Sequence, residues 1–69
     1  MKLVKLADLR HGDVFLTKTS KLMVVDYKET DGKRVCRRYS DKYYAELLNA
    51  NMEVYYMDDM KAPFKPLFN

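Results

Sequence analysis

The chain has 69 residues, 48% of them hydrophobic and 33% charged, with a formal net charge of +3, one cysteine and one histidine. That length makes one small domain, a single cysteine excludes an internal disulfide, and one histidine beside it leaves no zinc ligand set. No apolar run approaches the ~18 residues of a spanning helix, and the opening MKLVKLADLRHGD is too charged for a secretion signal, so a protein of the cytoplasm is expected.

Residues 2–6 (KLVKL) alternate cationic and apolar side chains, the period of a half-buried strand. Gly12 can take a positive φ and Asp13 can hydrogen-bond its own neighbourhood, which places a tight turn there. Residues 13–17 (DVFLT) are a short β-prone run closed by the polar loop KTSK. Residues 22–29 (LMVVDYKE) are the longest β-branched stretch. Asp31-Gly32 after them predicts a two-residue type I′ hairpin turn, with residues 33–39 as the returning strand.

At Ser40 the period changes. Ser40 or Asp41 can cap a helix, and Tyr44, Leu47 and Leu48 fall on one helical face. Asn49 and Asn51 suit its end, so a helix of two to three turns is expected. Residues 52–57 (MEVYYM) return to β with Met52, Val54 and Tyr56 on one side: either these face the core and Tyr55 and Met57 face outward as a contact surface, or the strand is buried on both sides. Pro63 and Pro66 break any regular element near the end. The expected architecture is mainly β: a small SH3-like antiparallel barrel of about five strands, with one short helix before the last strand. Residues 1–60 make the barrel and residues 61–69 a tail that packs on it or on a partner.

A tight turn at Asp31-Gly32 sets Glu29 opposite Arg34, Tyr27 opposite Cys36, Asp26 opposite Arg37 and Val25 opposite Arg38. Met23, Val25, Tyr27 and Cys36 then share one side of the sheet, and Leu22, Val24 and Tyr39 the other. The stretch KRVCRRYSDK holds five cations in ten residues. Arg34 and Arg37 each face a carboxylate, as exposed pairs worth a few tenths of a kcal/mol. Lys33, Arg38 and Lys42 have no such partner and are the candidate anion ligands.

Residues 1–40 carry ten Lys/Arg against five Asp/Glu, and residues 41–69 three against five. So uneven a field suits an anionic partner or the pairing of two copies into an oligomer. Arg38, Tyr39, Lys42 and Tyr43, with the outward Tyr55, form the candidate partner-binding surface, because tyrosine and arginine are frequent anchors. A protein partner is the leading expectation. Nucleic acid or a nucleotide-like anion on the same basic, tyrosine-rich surface is the alternative, and no membrane partner is expected. Cys36 reads as a buried mid-strand residue, His11 as an exposed turn residue and Asp58-Asp59 as a solvated turn. No catalytic residue, cofactor or metal ligand is expected, and the chain reads as a non-enzymatic binding module.

The run LADLRHGDVF (6–15), with LMVVDY and AELLNANMEVYYM after it, resembles short phage and prophage reading frames that open Leu-x-Asp-Leu-x-x-Gly-Asp-x-Phe. The resemblance implies a small β-barrel accessory protein working in a bacterial host, and it implies no activity. The matching positions Leu6, Leu9, Gly12, Asp13 and Phe15 are expected to determine the fold rather than a site.

Overall fold

The opening motif spends its residues on the turn that starts the sheet. Gly12 takes φ 89, the left-handed region open to a residue without Cβ. Its N–H donates to the Val25 carbonyl at 2.8 Å, and the Asp13 carboxylate accepts from the Arg10 N–H at 2.8 Å. Leu6, Leu9 and Phe15 from the same run enter the core. The motif therefore acts as a fold determinant, as expected.

The computed structural model describes residues 2–64, apart from the side chains of Tyr27 and Lys28. The described strands are β1 (Lys2–Lys5), β2 (Val14–Leu16), β3 (Leu22–Thr30), β4 (Lys33–Arg38), β5 (Asp41–Asn49) and β6 (Glu53–Tyr56), with a 3-10 turn at Leu6–Asp8. All pair antiparallel in one sheet of order β1-β6-β2-β3-β4-β5. No helix among the described residues is long and apolar enough to cross a membrane. Of the expected tail, residues 61–64 are described, with Ala62 and Phe64 half-buried, and residues 65–69 lie outside the described residues.

The sheet is open: β1 and β5 are its two edges, which corrects the expectation of a closed barrel. It is nevertheless forced to coil. Four strand spacings separate β5 from β6, roughly 19 Å if the sheet were flat. The connection from Asn49 to Glu53 reaches about 14 Å at full stretch. Only a curled sheet satisfies both, and the curl makes one side concave.

Leu6, Leu9, Phe15, Met23, Val25, Cys36 and Val54 fill that side as the core, with Val4, Leu48, Met52 and Tyr56 packed against it. Burying a side chain of this size contributes about 1.5–3 kcal/mol against leaving it in water. Val54 and Tyr56 thus face inward, and Tyr55 and Met57 on the other side are half-buried as well.

Two irregularities bend the strands. Asp31 (φ 49) and Gly32 (φ 73) form the expected hairpin corner, and Glu29 pairs with Arg34 and Thr30 with Lys33. Beyond them the pairing slips, so that Val25 faces Cys36, Val24 faces Arg37 and Met23 faces Arg38. The predicted Tyr27–Cys36, Asp26–Arg37 and Val25–Arg38 pairings are therefore corrected by two residues. An even slip preserves which side each residue faces, which is why the core assignment survived it. No local turn signal marks such a bulge.

The expected helix at residues 40–51 is a strand, β5. Its capping signals are present but close turns instead. The Asp41 carboxylate accepts from the Tyr43 N–H at 3.1 Å, and the Asn49 amide oxygen from the Asn51 N–H at 2.8 Å, both two residues on. The spacing of Tyr44, Leu47 and Leu48 fits either period over so short a run, and hydrogen bonding to β4 decides for β.

Three turns are stitched together at one end of the sheet. The Leu6 N–H donates to the Met52 carbonyl, Ala7 to Ala50, and Ala50 to Gly32, at 2.8–2.9 Å. Arg34 completes the closure from below. It is 8% exposed, and its Nη1 donates to the carbonyls of Leu6 and Leu9. No ion pair joins it to Glu29 among the described residues, so the expected exposed pair is corrected to a buried guanidinium held by main-chain oxygens.

Hydrogen bonds from a charged donor are worth about 1.5–3 kcal/mol each, and relief of the buried charge offsets part of the loss. Arg34→Met should therefore lower the unfolding free energy by about 2–3 kcal/mol in urea titration. A chain of this size holds roughly 3–5 kcal/mol, so the midpoint should fall by about half or more. A change below about 0.5 kcal/mol, the scatter of an ordinary surface substitution, would show the guanidinium to be dispensable.

Candidate functional site

The opposite end of the sheet is built differently. The turn between β2 and β3 is rigid: the buried Thr17 exchanges backbone hydrogen bonds with Lys21 and Ser20 at 2.9 Å, and its Oγ1 accepts from the Lys21 N–H at 2.9 Å. Ser20 is held at φ 68, an unfavourable conformation for a residue with Cβ. The turn between β4 and β5 consists of Tyr39 and Ser40, and the Tyr39 N–H donates to the Leu22 carbonyl at 3.0 Å. That bond draws the two turns together around a cleft of 260 Å³ lined by Ser20, Lys21, Leu22, Arg38, Tyr39 and Ser40.

Arg38 is the cation in this cleft with the most defined position. Its guanidinium carbon stands 4.0 Å from the Tyr44 ring centroid. Stacking of this kind uses the face of the guanidinium and leaves its in-plane N–H groups able to donate. Among the described residues no carboxylate forms an ion pair with Arg38. Lys21 reaches Glu46 at a long 3.5 Å, with its side chain 46% exposed, so this pair is loose.

Tyr44 comes within reach of Arg38 because β5 is bulged. Arg37 faces Ala45 while Arg38 faces Asp41, so three residues, Lys42, Tyr43 and Tyr44, are accommodated across one step of β4. An odd insertion disturbs the in-out alternation, and Tyr43, Tyr44 and Ala45 are exposed in succession. Lys42 caps the outer ring, its Nζ 5.3 Å from the Tyr43 centroid, while its carbonyl accepts from Arg37 at 3.1 Å.

Four of the predicted surface residues, Arg38, Tyr39, Lys42 and Tyr43, thus lie together at the β4–β5 turn. Tyr55 does not join them: it lies on β6, with β2, β3 and β4 between it and β5 in the sheet. Of the three candidate anion ligands, Lys33 stands at the far end of β4 from Arg38, about 16 Å away along the strand. Arg37 is bound to Asp26 at 2.6 Å, with Asp26 1% exposed, so this pair is buried rather than exposed and lies diagonally across the strands. Lys21, Ser20 and Ser40 are absent from the predicted surface, and Tyr44 figures in it only as a neighbouring ring. The first three meet only through the slipped hairpin register, and Tyr44 was assigned to a helix face.

No three His, Cys, Asp or Glu side chains converge as a metal site among the described residues. Cys36 is fully buried, and burial pushes its thiol from an ordinary 9.0 up to about 12, with Arg34 pulling the other way. At neutral pH it is a protonated thiol with no route to solvent, and its Sγ lies 3.8 Å from the Arg34 carbonyl.

The unfolded thiol ionises above pH 9 and the native one does not until about pH 12, so folding stability must fall across that window. The expected slope is about 1.4 kcal/mol per pH unit, measured as the difference between the wild type and Cys36→Val, whose shared tyrosine and lysine titrations cancel. Equal slopes for the two proteins would place the native thiol near its ordinary value. In comparisons with known proteins, the chain matches no family model, no curated protein and no solved structure.

Proposed function

We propose that the chain is a small non-enzymatic binding module that takes up an extended segment of a partner protein as an added strand on β5. The observation that carries this reading is the character of that edge. β5 is nine residues long, contains neither glycine nor proline, and has no strand on its outer side among the described residues. It exposes Tyr43 (77%), Leu47 (52%) and Tyr44 (41%). An edge of this kind presents a row of unpaired backbone groups, and native proteins ordinarily shorten it, charge it or cover it. The other edge follows that rule: β1 has four residues and carries Lys2 and Lys5.

Added main-chain bonds supply affinity in strand addition, and alternate side chains supply selectivity. Tyr43, Tyr44 and Leu47 are the exposed large side chains of β5, so the partner strand would bring apolar residues against them. The tyrosines beside Arg38 and Lys42 are suited to be anchors.

Support for the architecture comes from strand order. β2, β3, β4 and β5 follow one another as a meander, and β6 returns beside β2. We read this as an SH3-like barrel left open along β5, with β1 added at the opposite edge. The resemblance of the opening residues to phage reading frames supports an accessory role in a bacterial host. Nucleic acid on the same surface is the second reading, with Arg38 and Lys42 as its cations, since Lys33 stands at the other end of β4.

The test is a peptide library of extended sequences selected on the purified chain. Selected peptides should shift the backbone amides of residues 42–49. Tyr43→Lys and Leu47→Lys should each weaken binding by about tenfold, or ~1.4 kcal/mol, while Tyr55→Lys should not. Affinity should change little between low and high salt, since apolar anchors release few counterions. Binding that collapses steeply with salt would transfer the surface to nucleic acid. Dimerisation abolished by the same lysines would assign β5 to a second copy, and shifts confined to β1 would overturn the reading.

A further inference from the structure

The cleft beside β5 carries a different chemistry from the edge itself. Its walls are two short turns fixed by backbone hydrogen bonds, so it is formed before any ligand arrives. Two cationic residues, Lys21 and Arg38, and three hydroxyl-bearing ones, Ser20, Tyr39 and Ser40, line it, and none of the lining residues is acidic. Arg38 is oriented by the Tyr44 ring without being neutralised by a carboxylate. Lys21 is held by Glu46 at 3.5 Å, a contact weak enough to exchange for a better anion. The volume, 260 Å³, lies just under the roughly 300–1,000 Å³ of pockets that enclose drug-sized ligands, so a small anionic group fits better than an extended molecule.

We propose that this cleft binds the terminal phosphate of a small phosphomonoester. A dianionic tetrahedral group matches two cations and the two serine hydroxyls. The guanidinium supplies paired N–H donors to two oxygens, the ammonium a point charge, and the hydroxyls the remaining bonds. Tyr39 provides the wall against which the organic part of the ester rests. Binding draws Lys21 away from Glu46, so Glu46 competes with the ligand. The walls of the site are the two turns, and β5 reaches it through Tyr44 and Glu46.

The experiment titrates the isotope-labelled chain with inorganic phosphate, with adenosine monophosphate, and with a short oligothymidylate bearing unphosphorylated ends. Phosphate and the monoester should produce saturable shifts at Ser20, Lys21 and Ser40, with a dissociation constant of about 1 mM or tighter for the monoester. Arg38→Gln and Lys21→Gln should each weaken the monoester by about tenfold, the loss of one charge-assisted hydrogen bond. Glu46→Gln should strengthen it by about threefold, as expected when a loose surface pair is removed. Circular dichroism of each variant establishes that the fold is kept, and Glu46→Gln, which gains affinity, cannot be explained by unfolding. Absence of saturable shifts at Ser20 and Ser40, or an Arg38→Gln variant that binds as the wild type does, would overturn the proposal. Oligothymidylate binding as tightly as the monoester would overturn it too, since internal phosphodiesters would then be the ligand.

Discussion

A connection too short for a flat sheet governs this molecule. β5 and β6 are four strand spacings apart in the sheet order, yet Asn49 and Glu53 bracket a turn of three residues. The sheet has to coil until the end of β5 approaches the start of β6, and everything else accommodates the coil. Chain twist alone rotates neighbouring strands by roughly 20–25°, and the bulges in β3 and β5 supply further bending. The concave side becomes a cavity that Phe15, Met23, Val25 and Val54 fill. The stitched rim of Leu6, Ala50 and Gly32 exists because coiling brings those three turns together.

Coiling also explains the buried arginine. The concave side of so small a sheet closes around the carbonyls of Leu6 and Leu9, which bracket the 3-10 turn. Arg34 meets both of them from β4. A guanidinium can do this with little desolvation loss compared with an ammonium, because its charge is spread and weakly hydrated. Its Nε finds no partner among the described residues, so the arrangement is stabilising by its Nη1 bonds rather than by full satisfaction.

The legible part of the fold was the part fixed by local chemistry. Asp31-Gly32 announces its corner because few residue pairs adopt two successive positive φ values. Gly12-Asp13 does the same for the first turn, and the hairpin pairing sorts Met23, Val25 and Cys36 onto the side that becomes the core. What was not legible was set by distant partners. The strand of nine residues carries helix signals because asparagine and aspartate offer the same side-chain bond to a helix end and to an isolated turn. The bulge in β3 has no sequence signal, since its two extra residues are accommodated by the curvature of the whole sheet. The cleft residues Ser20, Lys21 and Ser40 followed from that bulge and were hidden with it.

The cationic run KRVCRRYSDK shows why net charge is a poor guide to a binding surface. Its five cations leave in five directions once the strand is folded. Arg34 goes inward to main-chain oxygens, Arg37 is bound by the buried Asp26, and Lys33 stays at the hairpin end. Lys42 lies against Tyr43, and Arg38 alone of the five enters the cleft. A strand alternates sides at every residue, so a run of like charges along it is divided between two faces and two ends before any ligand is considered. The second cation of the cleft, Lys21, comes from another strand connection altogether. Local charge density in this chain therefore measures the requirements of the coiled sheet more than those of a partner, and the surface that remains for recognition is assembled across β3, β4 and β5.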